Sequence, residues 1–238
     1  MSYSPKKLSS REEIYALFDS FGEALDEPVK VLTIGGAALI EYDLKDATKD
    51  IDIICVTEED KKSLLKCASD LGFELQGPED RHKRLGLDRI AIKNSHTIDI
   101  FARTISGGFI LTEDMWNRAI TTTKFGLLDV RYASREDIFI MKLIAHREGD
   151  LEDCAKLVTV GLDFDVIFDE VELQYTSSVK DDNEYNTLKI WVTFLDEGIE
   201  DLESKYSVSI PIADKISRLS QDYYQRRFPE PVETRSFI

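Results

Sequence analysis

The stretch TIGGAALIEYDLKDATKDIDIICV, residues 33–56, decides the fold. Its pattern predicts the end of a buried strand, a turn at Gly35 and Gly36, a short helix, and a second strand that carries Asp50 and Asp52. Side chains alternate between the two faces of a strand, so we expect both carboxylates to point the same way, opposite to the apolar residues around them. Two carboxylates this close repel each other, and near a partly buried surface that repulsion demands a cation or a proton.

A third acidic residue makes this pair informative. Asp99 lies in HTIDIFA, residues 96–102, which alternates as a strand does. If that strand lies beside the one with Asp50 and Asp52, three carboxylates converge at one edge of a sheet. Oxygen ligands without nearby histidine or cysteine suit Mg²⁺ better than zinc. Two Mg²⁺ ions, or Mn²⁺ in their place, would support an in-line phosphoryl displacement in which pyrophosphate leaves.

The glycine pair is consistent with such a reaction. A turn without Cβ atoms lets a phosphate approach the backbone N–H groups of Gly35 and Gly36 at the start of the following helix. Taken alone, a glycine pair after a strand is more often a packing turn. Alternating aspartates can also be an exposed strand face, so Asp50, Asp52 and Asp99 as a plain acidic surface remain an alternative. The conjunction of the two patterns favours a nucleotide site.

The remaining sequence predicts an α+β fold of the α/β type, in which helices and strands interleave around a mixed sheet. Ser10 and Glu13 have the spacing of a capping box that opens a helix. The stretch KFGLLDVRYAS, residues 124–134, is expected to form a short strand pair. Apolar residues recur at helical spacing after it, so we predict a catalytic domain at residues 1–133 and a helical domain at residues 134–238.

Composition limits the class of protein. The chain has 238 residues, 42% of them hydrophobic, and a formal net charge of −16. Much of that charge lies in residues 150–205, where 16 acidic residues face 4 basic ones. This acidity makes it unfavourable for the helical part to grip RNA. We find neither a long apolar segment nor a signal-peptide pattern, and three cysteines without metal-like spacing, so we expect a cytoplasmic protein with reduced thiols.

These motifs resemble a known family. Ile34-Gly35-Gly36, thirteen further residues, Asp50-Ile51-Asp52 and a later strand with Asp99 look like the signature of polymerase-beta-like nucleotidyltransferases. The form Thr48-Lys49-Asp50-Ile51-Asp52 is similar to the AbiEii-type toxin branch and to minimal nucleotidyltransferases. In that branch a helix carries a lysine, then an arginine and a spaced pair of aspartates. The corresponding residues here are Lys142, Arg147, Asp150 and Asp153, although Glu148 and Gly149 separate Arg147 from Asp150 where the branch often shows Arg-Asp.

The resemblance implies a role for each matching residue. Asp50, Asp52 and Asp99 would hold the metal ions, with Asp99 also helping to activate the acceptor hydroxyl. The nucleoside triphosphate, for example ATP, would bind at Gly35, Gly36 and Lys49. Lys142 would neutralise charge that develops on the triphosphate.

We therefore expect an enzyme that transfers a nucleoside monophosphate to an acceptor hydroxyl on a tRNA end, a protein or a small molecule. The alternative is a catalytically silent protein of the same fold that acts by binding a partner protein through the acidic helical part, as in a toxin–antitoxin system.

Overall fold

The computed structural model has the mixed α+β architecture that the sequence predicts. It describes residues 9–78, 87–94, 96–105, 108–121, 123–147, 149–177 and 189–228. These ranges contain nine helices and eight strands, with the last five helices following the last strand. The predicted fold class is confirmed.

Six strands form one mixed sheet in the order β3-β4-β5-β2-β1-β8, and the remaining two form a small hairpin. Strand β2 is parallel to β5, while β1 is antiparallel to β2 and parallel to β8. The strands are β1 (Val29–Ile34), β2 (Ile51–Cys55), β3 (Glu74–Gln76), β4 (Leu87–Lys93), β5 (His96–Ala102), β6 (Thr104–Ile105), β7 (Phe109–Ile110) and β8 (Leu128–Tyr132).

The predicted strand pair at residues 124–134 is instead a single edge strand, β8, joined to its neighbour by the parallel ladder with β1. Alternation in the sequence indicated a strand here but not its partner, which lies about a hundred residues earlier in the chain.

Helices pack against the sheet and form most of the second half of the chain. Ser10 and Glu13 make the predicted capping box at the first of them. The helices are α1 (Arg11–Ala24), α2 (Gly35–Glu41), α3 (Glu58–Asp70), α4 (Glu113–Arg118), α5 (Arg135–Ala145), α6 (Asp150–Val160), α7 (Phe164–Thr176), α8 (Trp191–Tyr206) and α9 (Ala213–Arg227).

Helix α5 is the centre of the helical half, because eight of its eleven residues are buried. Gly198 on α8 lies against its backbone, since a Cβ built there would stand 2.8 Å from the carbonyl oxygen of Leu143. Arg118 on α4 pairs with Asp137 on α5 and, at 2.6 Å, with Glu170 on α7. These contacts fix the position of α5, whose C-terminal end points toward the candidate site described below.

Three smaller expectations can be compared with the structure. Cys55, Cys67 and Cys154 are buried thiols that are not joined in disulfides, as expected for reduced core cysteines. In the part of the chain that the structure describes, no helix is long and apolar enough to cross a membrane. The division into domains at residues 1–133 and 134–238 stays a prediction.

Candidate active site

Two of the three predicted carboxylates stand side by side in the sheet. Asp52 on β2 is the register partner of Asp99 on the parallel strand β5. Register partners on neighbouring strands project to the same face, and the strands are only about 4.8 Å apart. Both residues are half-buried, whereas the preceding Ile51 and Ile98 on the other face are almost fully buried. The sheet therefore brings together two acids that are far apart in the sequence.

Asp50 lies just outside this pair. It occupies a bend one residue before β2 begins, and its side chain is half-buried. Burial raises the pKa of Asp52 to about 6; Asp50 adds to the increase, while Arg147 and Lys142 oppose it. An aspartate with a pKa this high marks a place where further negative charge is unfavourable and a cation would be stabilised.

The glycine turn packs directly on the Asp52 carboxylate. Gly35 begins α2 with φ +62°, a conformation that residues with a Cβ rarely adopt, and a Cβ built there would lie 2.4 Å from Asp52 Oδ2. A Cβ at Gly36 would lie 2.4 Å from Thr48 Oγ1. Only glycine at both positions lets β1 turn into α2 against the segment that precedes β2. The turn and the carboxylates thus form one site.

Replacement of Gly35 by alanine tests this packing. We expect Gly35→Ala to lower the free energy of unfolding by about 2–3 kcal/mol, about 1 kcal/mol from the positive φ and the rest from displacement of the Asp52 carboxylate. Urea unfolding measures the loss. Gly72→Ala is the matched control, because Gly72 has φ +81° but no atom within 4 Å of the added Cβ. Equal losses in the two variants would show that the contact with Asp52 has no energetic importance.

The loop before β2 is held by hydrogen bonds to Ser9, which precedes α1. The backbones of Ser9 and Thr48 exchange two hydrogen bonds of 2.7 and 3.0 Å, and Thr48 Oγ1 donates to the carbonyl oxygen of Asp50 at 3.0 Å. His96 Nδ1 lies 2.9 Å from Ser9 Oγ. Lys49, which the sequence assigned to nucleotide binding, is exposed next to Asp50. These hydrogen bonds fix the loop at Thr48 and at Asp50.

A cluster of ion pairs lies beside the strand carboxylates, where α5 connects to α6. Helix α5 ends at His146, whose φ of 47° turns the chain. Lys142 Nζ lies 2.8 Å from Asp150 Oδ1 and 2.8 Å from Asp153 Oδ2. Arg147 Nε donates to Asp150 Oδ2 at 2.9 Å. Burial lowers the pKa of Lys142, but the two carboxylates outweigh it and the net shift is upward, so this lysine stays charged.

Arg147 links this corner to the sheet. Burial lowers its pKa, whereas Asp150, Asp52 and Asp99 raise it, with a net upward shift. The carboxylates of Asp52 and Asp99 therefore both interact electrostatically with the guanidinium of Arg147. Its side chain is 58% exposed, which leaves the guanidinium accessible to a ligand that enters from solvent.

Most of the predicted site residues meet at one end of the sheet. The two predicted lysines differ in accessibility. Lys49 is exposed beside Asp50, whereas the side chain of Lys142 is enclosed and only 5% exposed. One further residue, Lys45, was not anticipated. It lies in the loop between α2 and β2, and its Nζ is 3.0 Å from Asp153 Oδ2. No spacing or periodicity in the sequence marks Lys45, because its neighbour Asp153 is about a hundred residues away.

The donor set fits magnesium in its chemistry. Within the described ranges, no group of three or more histidine, cysteine, aspartate or glutamate side chains is arranged to hold a metal ion. The Asp52 carboxylate instead faces Gly35. The residues at this place nevertheless offer carboxylate oxygens only, which is the ligand type that Mg²⁺ prefers.

Comparison with known proteins assigns the chain to a family. Among curated proteins none matches the sequence. Among solved structures, the crystal structure of ANT(2")-Ia in complex with adenylyl-2"-tobramycin is similar, at 17% identity and a TM-score of 0.42, over 81% of this chain and 98% of that one. The sequence model of a family described as nucleotidyltransferases of unknown function (DUF6036) matches residues 13–198, which is most of the chain and includes every candidate residue named above. The chain belongs to this nucleotidyltransferase family.

Proposed function

We propose that the protein is a Mg²⁺-dependent nucleotidyltransferase that transfers a nucleoside monophosphate from a nucleoside triphosphate to an acceptor hydroxyl. The observation that carries this proposal is the register of Asp52 with Asp99 on neighbouring parallel strands, beside the Gly35 turn. Family membership supports nucleotidyl transfer in general. The finer placement in the AbiEii-type branch, with a role in a toxin–antitoxin system in the cytoplasm, is part of the same proposal.

Each residue has a part in the reaction. Asp50, Asp52 and Asp99 would hold Mg²⁺, whose chemistry is to activate the acceptor hydroxyl and to neutralise charge on the departing pyrophosphate. The acceptor oxygen bonds to the α-phosphorus as the bond from that phosphorus to the bridging oxygen breaks, and Asp99 takes up the hydroxyl proton. Gly35 and Gly36 let α2 begin directly beside Asp52 and Thr48, and the triphosphate would bind next to this turn. Arg147 places a fixed positive charge beside the carboxylates, and electrostatic preorganisation of this kind needs no rearrangement during the reaction.

The acceptor is a tRNA end, a protein or a small molecule. The acidic stretch at residues 150–205 repels a polynucleotide backbone and therefore favours a protein or a small molecule. Lys49 is exposed next to Asp50 and is available to the nucleotide as it enters.

Label transfer tests the proposal. The protein is incubated with each α-³²P-labelled nucleoside triphosphate and a total cell extract, with Mg²⁺ or with EDTA. We expect label in an RNA, protein or small-metabolite fraction with Mg²⁺ and none with EDTA, because the three carboxylates cannot compensate the charge of the triphosphate without a cation. The labelled fraction identifies the acceptor class. If folded protein transfers no label from any of the four nucleotides with Mg²⁺ or Mn²⁺, the silent binding protein is the better description.

A further inference from the structure

Lys45 occupies the place where a cation could meet the nucleotide's phosphates. A Cβ built on Gly36 would lie 3.8 Å from Lys45 Cδ, so the lysine stem passes along the glycine turn. Its side chain is 35% exposed, which leaves it accessible to a ligand from solvent.

Lys142 cannot take this role in the same way. Its side chain is 5% exposed, and two carboxylates within 2.8 Å occupy its ammonium. To reach a phosphate it would have to leave both of them buried without a partner, which is costly. Its geometry is that of a residue that positions others.

Asp153 connects the two lysines. Its Oδ2 accepts from Lys142 at 2.8 Å and from Lys45 at 3.0 Å, and its side chain is only 5% exposed. Lys142 already neutralises the buried carboxylate of Asp153. The same carboxylate therefore restrains Lys45 without cancelling the charge of Lys45. Three cations, Lys45, Lys142 and Arg147, thus share the carboxylates of Asp150 and Asp153, and the two accessible cations, Lys45 and Arg147, lie at opposite ends of the cluster.

We propose that Lys45 binds the phosphates of the nucleotide at the Gly35-Gly36 turn, and that the buried Lys142 holds it there through Asp153. This inference rests on the proposed function, since it assigns the triphosphate to the same turn. The competing explanation is that Lys45 forms an ion pair that only fixes the loop between α2 and β2.

Binding of inorganic tripolyphosphate in Mg²⁺ buffer, measured by calorimetry, separates the two explanations without knowledge of the preferred base. We expect Lys45→Met to weaken this binding at least tenfold, because a charge-assisted hydrogen bond is lost. Lys45→Arg keeps the charge and should bind within about threefold of wild type. The control is Lys30→Met, at an exposed lysine at the opposite end of β1, which should bind as wild type does. In the transfer assay, Lys45→Met should raise the KM for the nucleotide more than it lowers kcat.

The outcomes distinguish this inference from the proposed function. If wild type transfers label and Lys45→Met binds tripolyphosphate as tightly as wild type, the role of Lys45 is refuted and the function stands. Equal losses for Lys45→Met and Lys45→Arg, accompanied by lower melting temperatures, would also refute it, because they indicate a purely structural ion pair. If binding depends on Lys45 but no label is transferred, the inference stands and the transferase does not. Failure of wild type to bind tripolyphosphate refutes the role of Lys45, whereas the label-transfer assay alone decides the proposed function.

Discussion

The Asp52→Asn and Asp99→Asn variants are expected to lose nucleotidyl transfer by at least about a thousandfold. An amide cannot supply the negative charge that holds a divalent cation, and such a cation contributes several kcal/mol to charge stabilisation in the transition state, where 1.4 kcal/mol corresponds to a factor of ten. Because the two residues are register partners, both variants should lose activity to a similar extent. The rate of label transfer from the preferred triphosphate measures the effect.

Asp129→Asn is the matched control for this experiment. Asp129 is a half-buried aspartate on β8 of the same sheet, but it pairs with Lys30 at the far end of β1, whereas Asp52 pairs with Ile34 at the near end. Its replacement should leave transfer unchanged. Activity within tenfold of wild type in either Asp52→Asn or Asp99→Asn would contradict the assignment of the carboxylates.

The loss of activity in Asp52→Asn should not come from unfolding. The pKa of Asp52 is about 6 in the folded protein against an ordinary value of 3.8. Between these two values the folded state binds more protons than the unfolded state, so the contribution of Asp52 to stability falls as the pH rises through this window. Asparagine does not titrate. In metal-free buffer at pH 8, Asp52→Asn should therefore be about 1–3 kcal/mol more stable than wild type, and the difference should vanish toward pH 4.

Lys142→Met is expected to have the largest effect on stability, with a loss of about 3–5 kcal/mol in the free energy of unfolding. The substitution removes the shared partner of two carboxylates. Burial raises the pKa of Asp150, but Lys142 and Arg147 outweigh it and hold the pKa below its usual range. Without the lysine, Asp150 keeps only Arg147 and Asp153 keeps only Lys45, and both of these remaining cations are partly exposed to solvent. Urea unfolding at pH 7.5 measures the loss.

Lys156→Met provides the comparison on α6, the helix that carries Asp150 and Asp153. Lys156 forms an exposed pair with Glu152 one turn away, and pairs of this kind contribute little. Its replacement should change stability by less than about 0.5 kcal/mol. A loss below about 1 kcal/mol for Lys142→Met would mean that the buried network does not stabilise α5 and α6, and the positioning role proposed for Lys142 would fall with it.

The local features of the site were predictable from the sequence because short-range rules determine them. A glycine pair at the end of an apolar run predicts a strand that turns at once into a helix, and the structure has Gly35 at that turn. The pairing of Asp52 with Asp99 required the added assumption that their strands are neighbours. The family resemblance supplied that assumption, and the register of β2 with β5 confirms it.

The parts that could not be predicted depend on contacts between distant segments. Lys45 becomes significant only because α6 places Asp153 beside it. The enclosure of Lys142 depends in the same way on how tightly α6 packs on α5, which no property of the residue itself reveals. The three-residue spacing of Asp150 and Asp153 does place them on one helix face, and this could have indicated that both pair with the same cation.

The parallel pairing of β2 with β5 has a consequence for how the chain acquires its chemistry. Along the chain, α3, β3 and β4 lie between β2 and β5, so these two strands cannot pair until this long segment has closed into a loop. Loop closure of this kind is entropically costly and slow compared with helix formation. Under the proposed function, a chain in which β5 has not yet paired with β2 has Asp52 without Asp99 beside it and should not catalyse nucleotidyl transfer.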